Sequence, residues 1–209
     1  MLKKFNLLVA ASIASASAFA AYGPAAPAAP AASSSNWTLG FGYGQMFGMK
    51  KTTTAADSGA SRNASTDAKV KNPTLMEFDL FNSNGFGAVY MTNAGKKGIV
   101  TAGSATEIGK YSFNAYFLGY HKGLAQNLCA RVLLGLADQK YIDGSNAEIK
   151  SDGEFAFAAT GAYHMNLSGS LKGFAELGYL DLKKFNYTSV GNQVKVAGFF
   201  WKVGVKMPI

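Results

Sequence analysis

One cysteine, Cys129, occurs in 209 residues, which excludes an intramolecular disulfide and a thiolate-rich metal cluster. Histidines number two, His121 and His164, a thin supply for a transition-metal site. Charge is also scarce: Asp, Glu, Lys and Arg make up 15% of the chain, against about 25% in an average soluble domain. That shortage argues against a coiled coil, a charged disordered chain and the surface of a soluble enzyme. No apolar run reaches the ~20 residues of a membrane helix. The apolar 48% is dispersed, which excludes a helical multispan protein.

What is present begins with an address. Lys3 and Lys4 precede an apolar stretch over 5–13, and Ala18-Phe19-Ala20 offers a small-x-small cleavage site. Residues 1–20 therefore read as a secretory signal peptide. Residues 21–35 carry Pro24, Pro27 and Pro30 in an Ala/Ser background, the composition of a semi-rigid linker or tail. The remaining span, 36–209, is expected to be one β-domain.

From Trp37 onward bulky and small residues alternate with the period of a β-strand. Trp37, Leu39, Phe41 and Tyr43 oppose Thr38, Gly40, Gly42 and Gly44. Eight such segments are predicted, over 37–49, 75–81, 86–93, 111–117, 128–141, 153–165, 171–185 and 193–207. Long connections (50–73, 94–105, 142–152) alternate with short ones (82–85, 121–127, 166–170), and only 188–192 breaks the rhythm. Short turns at one end and long loops at the other suit a membrane barrel.

Orientation decides the class. A lumen of eight strands is just wide enough for side chains, and the glycine-rich faces suit its wall. Strand-borne charges must avoid hydrocarbon, where a midplane cation costs roughly 2–4 kcal/mol. Hence Glu77, Asp79, Arg131, Glu154, Lys172, Glu176 and Lys202 are assigned to the lumen. Trp37, Phe41, Phe113, Leu134, Phe157, Tyr179, Phe199 and Trp201 are assigned to a lipid-facing belt. The fold class expected is all-β: an eight-stranded antiparallel up-and-down transmembrane β-barrel. The competing reading is a soluble secreted calycin-like barrel around a small apolar ligand, which needs Phe41, Phe113, Val132, Leu134, Phe157 and Trp201 to point inward.

In this architecture the chain resembles the small outer-membrane barrels typified by the OmpA transmembrane domain, OmpX and OmpW. The resemblance spans 37–209 and rests on strand pattern, including the alternation of Phe199 and Trp201 near the C-terminus. It implies a place in the bacterial outer membrane with periplasmic termini, and membrane lipids and the barrel-assembly machinery as partners. The chain ends Met207-Pro208-Ile209 rather than on the family's usual aromatic residue. Family members are porin-like, adhesive or structural, so a structural role with narrow-pore or surface-interaction activity is what the likeness implies.

Finer expectations follow. A last hairpin centred near Ser189 sets Glu176 directly opposite Lys202. Such a pair serves either as a gate or as part of a filled, side-chain-packed lumen. Lys50, Lys51, Arg62, Lys69, Lys71, Lys96 and Lys97 make the long loops basic, a surface for lipopolysaccharide phosphates or simple solvation. Nucleic acid is not expected as a partner, since neither a basic helix nor a stacking platform appears. His121 falls in a predicted turn, and His164-Met165-Asn166 lacks the His-x-Ser pattern of outer-membrane deacylases. With no nucleophile, base and orienting group in sight, the chain reads as a non-enzyme without cofactor or metal. Cys129 reads as a small lumen residue.

Overall fold

The structure, a computed structural model, describes residues 36–54, 66–71, 73–93, 98–102, 106–143, 148–186 and 193–209. The signal-peptide and linker segments lie outside them. Among the described residues are ten strands: β1 (Trp37–Thr54), β2 (Thr66–Lys71), β3 (Thr74–Asn82), β4 (Phe86–Thr92), β5 (Gly98–Ala102), β6 (Thr106–Ala125), β7 (Leu128–Asp143), β8 (Glu148–Ser168), β9 (Leu171–Asn186) and β10 (Gln193–Pro208). No helix occurs among the described residues.

These strands form eight staves. β2 and β3 both pair with β1, one after the other, and β4 and β5 both pair with β6. Each couple is therefore one interrupted stave, and β2 also pairs with β5. Pro73 lies at the break between β2 and β3 and cannot donate to the ladder. All pairings are antiparallel, and β10 returns to pair with β1 from Thr38↔Pro208 to Thr54↔Gln193, which closes the cylinder. The fold is an up-and-down β-barrel of eight staves. Closure removes every sheet edge, the condition a β-structure must meet where no water can satisfy backbone groups.

One end carries the tight turns. Asn82 builds the first: its Oδ1 accepts from the amides of Asn84 and Phe86, both at 3.0 Å. Gly85 has φ +88°, and a Cβ there would sit 2.3 Å from the His121 carbonyl, so only glycine fits. The other two turns are Gln126–Asn127 and Gly169–Ser170. Strand β6 runs on to Ala125, so His121 belongs to a strand and not to the predicted turn. Its amide donates to Gly85 O at 2.8 Å, and it pairs across to Arg131. The predicted loop over 50–73 likewise contains the end of β1 and all of β2, and β5 lies within 94–105.

Outward positions are apolar across a band of the wall. From Ala197 to Met207 the outward residues of β10 are Ala197, Phe199, Trp201, Val203, Val205 and Met207, and those of β7 from Leu128 to Leu136 are equally uncharged. A transmembrane strand needs about 9–11 residues, which this band matches. Rings meet across its surface: Phe41–Phe78 at 5.0 Å, Tyr90–Tyr116 at 5.3 Å and Tyr179–Phe199 at 5.3 Å. Leu134 and Phe199 are more than half exposed on the isolated chain, an arrangement with no place in water but natural against acyl chains. Phe41 and Trp201 are exposed on the same outer face; Trp37, Phe157 and Tyr179 are half-buried there.

Phe113 is a correction. It is 1% exposed and packs in the lumen with Tyr111, Phe117, Leu133 and Ala137. Residues directly opposite in an antiparallel pair share a face, and His121 opposes the inward Arg131, so odd-numbered residues of β6 point inward. A simple two-residue hairpin through Ala125↔Leu128 would have given the reverse. A bulge between Gly123 and Ala125 shifts the register by one and turns Phe113 inside.

Candidate functional site

The lumen is layered. Towards the long-loop end it is an apolar plug containing Met46, Leu75, Met91, Phe113, Leu180 and Val196, all buried. Tyr111 donates to Gln139 Oε1 at 2.8 Å, and Asn93 Nδ2 donates to Tyr111 O at 3.1 Å. The interior is therefore more apolar than a rule of charges and glycines inside suggests. Gly178 makes room for this packing, since a Cβ there would lie 2.5 Å from the Phe200 ring.

Towards the short-turn end lies an ionic layer. Arg131 on β7 is fully buried and donates from Nη2 to Glu77 Oε1 at 2.9 Å and from Nη1 to Asp79 Oδ2 at 3.2 Å, both on β3. It also donates to Glu176 on β9, and its Nε reaches Thr160 Oγ1 on β8 at 3.3 Å. Lys202 on β10 bonds Glu77 and lies 3.0 Å from Glu176 Oε1. Lys206, one more turn of the same inward row, lies 3.3 Å from Asp79 Oδ2. Three cations and three carboxylates from four strands balance one another across the bore.

Aromatic rings flank this layer. Arg131 stands 5.8 Å from the Phe81 centroid, and Lys202 stands 5.5 Å from that of Phe200. Lys206 is 5.1 Å from the Phe174 ring. Cation–π attraction supplements the ion pairs where water is excluded. A charge brought out of water demands such full partnering, because desolvating an ion costs several kcal/mol.

Five of the seven residues assigned to the lumen network meet here: Glu77, Asp79, Arg131, Glu176 and Lys202. The register opposes Glu176 to Lys202, the pairing expected from a hairpin centred near Ser189. Glu154 and Lys172 do not join. Glu154 opposes Ala137 near the long-loop end, where Ser151 Oγ donates to it at 3.1 Å. Lys172 shares the inward row of Glu176 but lies exposed at the short-turn mouth. Strand parity alone put both inside; height along the axis separates them from the cluster. Lys206 went unassigned although its spacing of four from Lys202 places it on the same face.

Cys129 is buried on the inner wall, 3.4 Å from His164 Nε2. No cluster of three metal-ligating groups occurs among the described residues. Of the basic loop residues, Lys50 and Lys51 lie in β1 and Lys69 and Lys71 in β2, with Lys50 opposite Lys69. Arg62, Lys96 and Lys97 lie outside the described residues. Beyond the uncharged band, Lys140 and Lys150 both bond Glu148, and those hydrogen bonds, Lys140's foremost, hold its carboxyl down at about 2. The sign follows: this pairing favours the folded state above the ordinary carboxylate range and fades as pH falls toward 2.

No protein-family model and no curated protein matches the sequence. Solved structures do match the fold. The solid-state NMR structure of the outer-membrane protein AlkL in DMPC bilayers is 13% identical, with 88% of this chain and 95% of that one covered at a TM-score of 0.53. The outer-membrane protein OprG from Pseudomonas aeruginosa is 12% identical, with 82% and 94% covered at a TM-score of 0.50.

Proposed function

We propose that this eight-stranded β-barrel is a structural barrel of the bacterial outer membrane whose bore is closed by its own side chains. Termini and tight turns face the periplasm in this reading, and the long connections face outward, the usual disposition of such barrels. The observation that carries it is the charge-balanced cluster around Arg131, stacked on an apolar plug. Three buried cations and three buried carboxylates balance one another across the bore at that layer. Narrow-pore activity then requires that the Glu77–Arg131–Glu176–Lys202 contacts rearrange. No catalytic step enters this reading, and membrane lipids and the barrel-assembly machinery are its partners.

Planar-bilayer recording tests it. Wild-type protein is expected to show no steady conductance, whereas Glu176→Ala and Lys202→Ala loosen the plug and admit ions. Steady conductance by the wild type, or identical traces for all three proteins, would overturn the closed-bore reading.

A second reading concerns the rim. Lys50 pairs in register with Lys69 on the adjacent strand at the long-loop end, which gathers basic residues at that rim. An anionic layer of lipopolysaccharide phosphates attracts such a rim, each cation near the surface contributing ~1 kcal/mol. Lys50→Glu with Lys69→Glu is expected to weaken binding to lipopolysaccharide-containing vesicles and flatten its salt dependence. Unchanged binding would contradict it.

A further inference from the structure

Beneath the ionic layer, at the short-turn mouth, the bore opens into a recess of about 300 Å³ whose lining includes His121, His164, Ser170, Lys172 and Lys206. Its basic and imidazole groups come from four strands, β6, β8, β9 and β10. No carboxylate lines it. Asp79, in the layer above, already engages Arg131 and Lys206 through one oxygen.

Two features make this more than a solvated rim. First, Lys172 and Lys206 are direct partners across β9 and β10 on the inward face. Like charges in that position destabilise a sheet unless an anion lies between them. Second, the donors are held in place. The His121 ring lies 4.9 Å from that of Phe81, the His164 ring 6.3 Å from that of Phe174, and Lys206 contacts both rings at 5.6 and 5.1 Å. Groups already fixed lose little freedom when a ligand arrives.

We propose that this recess binds a compact oxyanion: a phosphate group, free in solution or carried on a lipid head group. Lys172 and Lys206 supply charge-assisted donors from one side, and His121 and His164 supply ring N–H donors from the other. Ser170 completes the rim with a hydroxyl. A cavity of this size lies at the small end of ligand sites, ample for a phosphate with bound water. Binding here does not require the closed bore; it requires only the mouth.

The test uses the full chain in a phosphate-free maltoside detergent, with inorganic phosphate titrated against the histidine ring resonances in ¹H–¹⁵N NMR. A parallel arm uses nanodiscs with and without phosphatidylglycerol. Saturable shifts of His121 and His164 are expected in at least one arm, and the responding arm identifies the source of the phosphate. Lys172→Glu is expected to weaken binding at least about tenfold, the loss of a charge-assisted hydrogen bond. Lys122→Glu, an exposed charge on the outer face of β6, serves as the control and leaves the affinity unchanged; Lys172→Gln repeats the test without charge reversal. Absence of shifts in both arms, or equal weakening by the Lys172 and Lys122 variants, would overturn the proposal.

Discussion

Arg131→Met is expected to destabilise the folded barrel by about 3–5 kcal/mol, the range for removing one partner of a buried ionic network. Three carboxylates, Glu77, Asp79 and Glu176, would then share two cations, Lys202 and Lys206, all of them buried. Heat-dependent migration on gels after refolding into vesicles, with urea titration of the folded band, reads the loss. The compensating change is specific. Adding Glu77→Gln restores balance, leaving Glu176 with Lys202 and Asp79 with Lys206, and much of the stability is expected to return. A double variant no more stable than Arg131→Met alone would mean that the guanidinium acts through packing against Phe81 and not through charge.

Leu134→Arg is expected to cost about 2–4 kcal/mol, the depth-dependent penalty for a cation on a barrel's lipid face. Leu134 is 51% exposed and stands mid-strand on β7 between Val132 and Leu136. In water, the same substitution at so open a position would fall within about 0.5 kcal/mol of neutral. The two environments thus differ in outcome by more than measurement error. Folding titrations into vesicles of increasing chain length sharpen the contrast, because the penalty follows depth. A neutral Leu134→Arg would mean that this face of the barrel meets water and not hydrocarbon.

Much of the fold was legible because period-two alternation survives wherever one face is small. On β10, Gly198, Lys202, Gly204 and Lys206 oppose Phe199, Trp201, Val203 and Val205, with Phe200 the one ring on the inward row between Ala197 and Met207. The same regularity let the Glu176–Lys202 pairing be placed by counting from a hairpin centre. β6 resisted for a physical reason. Rings stand on both of its faces, Tyr111, Phe113 and Phe117 inward and Tyr116 and Tyr120 outward, so bulk does not tell them apart. The bulge near Leu124 then decides orientation through a single extra residue, a local backbone event without a sequence signature here.

For the site, charge gave the members and geometry gave the grouping. Strand parity puts Glu154 and Lys172 on the inward row with Arg131, but it says nothing of height in the bore. Tilt and stagger set that height, and these emerge only when the cylinder closes. Lys206 was within reach of the spacing rule. The aromatic rings that flank the ionic layer were not, since Phe81 and Phe174 approach it from different strands.

Trp201 offers the most direct probe of orientation. A Trp37→Phe variant leaves it the sole tryptophan, and its fluorescence can be followed in vesicles whose acyl chains carry bromine at defined depths. Strong quenching by chain-borne bromine, with little effect from aqueous iodide, is expected of an indole set against hydrocarbon. Quenching by iodide with indifference to brominated lipid would contradict the claim that the oily face of this barrel is its outside.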